Sequence, residues 1–106
     1  MRYKGGILRL GNEWIADEVL MEMVGATYNV DILNYPTQIK VILEDGILYG
    51  VFDLPTSLPE DLYLNIGLNA QQNEDGTLVK INWIETCSLV SHHADSEMPK
   101  VRLINV

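Results

Sequence analysis

Residues 61–69 read Asp61-Leu62-Tyr63-Leu64-Asn65-Ile66-Gly67-Leu68-Asn69, and they decide the fold class. Leu62, Leu64, Ile66 and Leu68 fall on one side of an extended chain. Tyr63, Asn65, Gly67 and Asn69 fall on the other. A period of two is the signature of a strand, because successive side chains of a pleated chain point to opposite faces. The same period recurs on both sides of this segment. Upstream, Tyr28, Val30 and Ile32 alternate with Asn29 and Asp31, and Ile39, Val41 and Leu43 follow the same rule. Asn34-Tyr35-Pro36-Thr37 reads as the turn between them. Asp45-Gly46 sits between two apolar runs, a hairpin signal because glycine takes a positive φ at low cost. Residues 47–54 resume as a strand, and Pro55 to Pro59 bound a loop.

Downstream, Gln71-Gln72-Asn73-Glu74-Asp75-Gly76 reads as a polar hairpin loop. Val79, Ile81 and Trp83 then alternate with Lys80 and Asn82, which assigns Trp83 to the core face. Residues 91–99 read as a polar loop and residues 101–106 as a closing strand. Residues 6–10 supply a first strand. In one place the period changes. Trp14, Ile15, Val19, Leu20, Met23 and Val24 approximate a helical stripe, free of Gly, Pro and Thr. Asn12 reads as its N-cap, Asp17 and Glu18 suit a helix start, and Gly25 reads as its stop. A pair of strands is the rival reading of the same stretch. The expectation is a mainly β (α+β) chain. It is an antiparallel β-sandwich or barrel of about seven short strands with one N-terminal helix over about 13–24, all in a single domain, 1–106.

Composition narrows the function. The 106 residues carry seven Lys and Arg against fifteen Asp and Glu, a formal charge of −8. Phosphate binding needs clustered bases, so no nucleic-acid partner is expected. No apolar run approaches about 18 residues, so no membrane partner is expected either. Residues 1–10 hold Arg2, Lys4 and Arg9, too few apolar residues follow for a signal peptide, and a cytoplasmic or virion-associated location is expected. From Gly11 to Val79 one base, Lys40, faces twelve acids. A basic start and an acidic middle offer one way for copies to pair head to tail.

No catalytic or cofactor-binding residue is assigned, and an enzyme is not expected. There is no Gly-x-Ser-x-Gly elbow and no phosphate-binding loop, since Gly5-Gly6 precedes a strand. Cys87, His92, His93, Asp95 and Glu97 are of ligand type, but the spacing is not that of a zinc ribbon. Adjacent histidines on a strand point apart, whereas in a loop they can converge on one ion. No metal or other cofactor is therefore assigned, and Cys87 reads as a buried thiol. Trp14, Tyr35, Tyr49 and Tyr63 are the aromatic residues assigned as interface anchors.

Residues 38–85 also carry a likeness. Phe52-Asp53-Leu54-Pro55 ends one hairpin, Pro59-Glu60-Asp61-Leu62-Tyr63-Leu64 enters a strand, and Asp75-Gly76 turns into Val79-Lys80-Ile81-Asn82-Trp83. This resembles small β-sandwich domains of phage tail and virion structural proteins. The resemblance implies a non-enzymatic assembly protein, often a homo-oligomer, whose partner is itself or a larger assembly. The other reading is a small acidic inhibitor or immunity-type protein that binds a basic partner protein.

Overall fold

The structure, a computed structural model, describes residues 1–104. Strands take 55% of the chain and helix 5%, in two antiparallel sheets that do not close into a barrel. The strands are β1 (Arg2–Arg9), β2 (Thr27–Ile32), β3 (Tyr35–Glu44), β4 (Ile47–Asp53), β5 (Tyr63–Gln72), β6 (Leu78–Val90) and β7 (Arg102–Leu103). Five of them form a sheet in the order β2-β3-β4-β1-β7, and β5 and β6 form a two-stranded ribbon. The closing strand expected over 101–106 is two residues long, and residues 105–106 lie outside the described part.

The hairpin turns follow local chemistry. Asp45 and Gly46 both take positive φ (50° and 77°), the geometry that matches the twist of the flanking strands. The turn expected at 34–37 is displaced. Leu33 and Asn34 take positive φ (53° and 61°), and Ile32 pairs with Tyr35, so Tyr35-Pro36-Thr37 already belong to β3. Leucine is a poor residue for that conformation, which is why the sequence points elsewhere.

The helix expected over 13–24 is not formed. One short helix, α1 (Asp17–Met21), takes its place. Asn12 Oδ1 accepts the backbone N–H groups of Trp14 and Ile15, at 3.0 and 2.9 Å. It closes a tight turn rather than capping a helix. Ile15 then runs beside Leu78 as an isolated parallel bridge, and Leu78 N–H donates to the Trp14 carbonyl at 2.9 Å. The apolar stripe is nevertheless used: Ile15, Val19, Leu20 and Met23 are all buried in the core.

The core lies between the ribbon and the large sheet. Phe52, Ile32, Ile39, Val41, Leu48 and Leu64 are almost wholly shielded. Leu64 has a seat made for it. Gly5 of β1 pairs with Gly50 of β4, and the side chain of Leu64 fills the space above them together with Val101 over Gly5 and Ile39 over Gly50. A Cβ on Gly5 would stand 3.2 Å from Leu64 Cβ, and one on Gly50 would stand 3.1 Å from Leu64 Cδ2. Burying such a side chain contributes roughly 1.5–3 kcal/mol. This close approach docks the ribbon onto the sheet.

Candidate interaction surface

The ribbon departs most from simple alternation. Its first half keeps strict register from Tyr63↔Val90 to Gly67↔Thr86. Beyond Gly67, β6 carries three unmatched residues: Glu85, Asn82 and Val79. Each is a bulge, and each resets the parity of the strand and adds twist. The consequence falls on Trp83. Ile81 stays inside, opposite Ala70, but the extra Asn82 turns Trp83 to the outer row opposite Asn69. The core position expected for Trp83 is therefore corrected: it is 51% exposed. On β5 the alternation holds. Leu64, Ile66, Leu68 and Ala70 pair with Leu89, Cys87, Ile84 and Ile81.

The free end of the ribbon is a polar loop, Gln71 to Gly76, with large apolar side chains exposed beside it. Trp14 is 63% exposed and lies against the hairpin tip, 3.9 Å from where a Cβ on Gly76 would stand. Val79 is exposed beside it in the chain. Both tryptophans of the sequence therefore stand in water on or against one ribbon. Large aromatic side chains of this kind dominate the energetics of protein contacts.

The other three anchors are spread apart. Tyr35 is exposed at the start of β3, next to the Leu33-Asn34 turn. Tyr49 is half-buried on the outer face of the large sheet, with Lys4 Nζ 4.5 Å above its ring. Tyr63 is half-buried at the start of β5, tilted against His93 and 5.7 Å from Lys100 Nζ. The four assigned residues do not form one patch. Trp14 belongs to the ribbon tip and Tyr63 to its base.

The basic residues are mostly occupied at home. Arg2 holds Asp53 through two hydrogen bonds of 3.0 and 3.1 Å, Arg9 holds Asp95 at 2.9 Å and Lys100 holds Asp61 at 2.9 Å. Lys4, the one buried charged residue described, crosses Tyr49 to reach Glu44. The three N-terminal bases thus have partners inside the chain. Eleven of the fifteen acids have no basic partner among the described residues. Glu13, Asp17, Glu18, Glu74 and Asp75 are exposed and flank Trp14 in the chain or at the hairpin tip.

The residues of ligand type are placed as follows. Cys87 is buried on the inner face of β6, and burial pushes its thiol up to about 12. His93 Nδ1 accepts the Asp95 N–H at 3.0 Å, while Asp95 itself is taken by Arg9 and by the Glu97 N–H. The Arg9 hydrogen bond, then the Glu97 N–H, hold the Asp95 carboxyl below its ordinary range. His92 is exposed. Among the described residues no three His, Cys, Asp or Glu side chains come together as a ligand set. Among the described residues the open grooves include one of about 500 Å³ beside β2 and β3 and one of about 490 Å³ under residues 57–61 and 100–103. Neither takes in Cys87, His92 or His93. No helix among the described residues is long and apolar enough to cross a membrane.

Compared with family models, curated proteins and solved structures, the chain matches none.

Proposed function

We propose that this chain is a non-enzymatic structural or interaction domain that assembles with itself or with a larger particle, possessing the role its likeness to phage tail and virion β-sandwich domains implies. The observation that carries this reading is the ribbon. Both tryptophans and Val79 are exposed on or against β5–β6, where a chain acting alone gains nothing from leaving them wet. The two-sheet architecture is compatible with a lopsided sandwich, five strands against two. A virion-associated location goes with this role.

The acids around Trp14 favour a second reading, an acidic inhibitor that docks one aromatic anchor onto a basic protein. Charge of one sign around an anchor speeds encounter with an oppositely charged partner and is screened by salt. Molar mass by light scattering behind size exclusion separates the two, at several concentrations and two salt levels. Self-assembly requires a discrete oligomer that survives dilution and salt. A 12.0 kDa monomer throughout rejects self-assembly and leaves the inhibitor reading.

A further inference from the structure

Resting on the assembly reading, we infer that two copies of this chain join edge to edge along β5, making a four-stranded sheet in the order β6-β5-β5-β6. An unpaired strand edge presents a row of backbone donors and acceptors that another strand can satisfy. Proteins that must not pair there protect the edge with charge, proline, bulges or shortness. The strand edges described here differ in that protection. β7 is two residues long. β2 carries Asp31 and runs alongside β6. β6 carries Lys80 and Glu85 and all three bulged residues of the ribbon.

β5 packs against β1 through the Leu64 seat, but its edge carries no charge, proline or bulge and is not short. Its ten residues, Tyr63 to Gln72, include no charge and no proline, and none of the unmatched residues is its own. Among the described residues no backbone hydrogen bond reaches it from outside the ribbon. The nearest, from Val101 N–H to the Leu62 carbonyl at 2.8 Å, stops one residue short.

The occupant that fits is a second copy. Each copy carries a formal charge of −8, so close approach is costly wherever the unpaired acids face one another. β5 is the long edge strand on which nine residues, 63–71, can meet with no charge opposed. A two-fold axis at Gly67 sets Asn65 opposite Asn69 and Tyr63 opposite Gln71, on the outer row. It sets Ile66 opposite Leu68 on the inner row, where both are only partly covered within one chain. Cross-strand pairs of these kinds stabilise an antiparallel ladder. The contact is isologous, as closed dimers require. It leaves Trp14, at the ribbon tip, free for a larger particle.

The test is amide deuterium exchange of the wild-type chain, dilute and concentrated, with molar mass measured on the same samples. A companion variant replaces Asn65→Lys and Gln71→Lys. Asn65 and Gln71 are exposed and make no side-chain hydrogen bond to another described residue, and circular dichroism checks that the variant folds. The expected result is a dimer in which amides of 63–72 slow at least tenfold on concentration. The variant changes the net charge from −8 to −6, which lowers general repulsion. It also sets lysines diagonally across the seam, about 7–8 Å apart, and should weaken the dimer about tenfold. A variant that dimerises as well as the wild type overturns the seam. A wild-type oligomer with no added protection at 63–72 overturns the seam and leaves the assembly reading standing. A monomer at every concentration overturns the seam and, with it, self-assembly.

Discussion

Replacing Leu64 with alanine tests the joint between the ribbon and the sheet. Leu64 is fully buried, and the floor beneath it is the Gly5–Gly50 pair. Large-to-small changes in a core cost about 2–5 kcal/mol, more where the walls cannot close in. The two glycines of the floor have no side chain to move into the space, which leaves only Val101 and Ile39 at its rim to close in, so the expected cost lies in the upper half of that range, about 4 kcal/mol. For a domain of about 100 residues, each kcal/mol moves Tm by about 4–8 °C, so the variant should melt about 20 °C lower. A second substitution sharpens the test. In the wild type, a Cβ on Gly50 would meet Leu64 Cδ2 at 3.1 Å and Ile39 Cδ1 at 3.3 Å, so Gly50→Ala should cost about 1–2 kcal/mol. In the Leu64→Ala background the first contact is gone and the new methyl partly fills the hole. The same Gly50→Ala should then be close to neutral, a coupling of about 1 kcal/mol or more. Urea and thermal unfolding of the four proteins give the cycle. A Leu64→Ala cost below about 1.5 kcal/mol, or an equal Gly50→Ala cost in both backgrounds, would refute this account of the seat.

Leu33 sits at φ 53° in a two-residue hairpin turn, so Leu33→Asn should relieve part of a strain of about 1–2 kcal/mol and raise Tm by a few degrees in calorimetry. A lower Tm would mean that Leu33, although exposed, packs usefully. Hydrogen bonds hold three carboxyls below their ordinary range: from Arg2 to Asp53, from the Thr77 backbone N–H to Asp75, and from Arg9 to Asp95. The unfolded chain protonates these groups first, so their contribution is present above about pH 4 and is lost as pH falls below it. A thermal-melt series should show that acid limb, and Asp53→Asn should flatten it; an unchanged limb removes the Arg2–Asp53 pair from the explanation. Burial that pushes the Cys87 thiol up to about 12 should leave it unreactive to aromatic disulfide reagents at pH 8 until the chain is unfolded in urea. Rapid labelling of the native protein would contradict its placement on the inner face of β6.

Much of the fold was legible because period-two alternation is a local signal that tertiary packing here reinforces. Six of the strand segments read from the pattern overlap strands, the closing segment 101–106 is met only by Arg102–Leu103, and Asp45-Gly46 turns as its chemistry requires. The failures have physical causes. Asn12 is equally suited to cap a helix or to close a turn, and only the docking of Ile15 beside Leu78 selects the turn. A bulge leaves no mark in composition, so the parity change at Asn82, and with it the exposure of Trp83, was not visible. The partners of Arg2, Lys4 and Arg9 lie 40 or more residues away and become neighbours only through sheet order. Of the assigned anchors, Trp14 was recognisable as a large aromatic residue among acids. Nothing in the sequence announced that Lys4 would lie over Tyr49.

Small-angle X-ray scattering of the wild-type chain over a concentration series at moderate salt tests assembly most directly. One copy has a Cα radius of gyration of 13.4 Å and extents of 42 × 26 × 23 Å. Self-assembly predicts forward scattering of at least twice the 12.0 kDa monomer, with a radius of gyration well above that of one copy and stable on dilution. Forward scattering of a single 12.0 kDa chain and a radius near 13.4 Å at every concentration would contradict it.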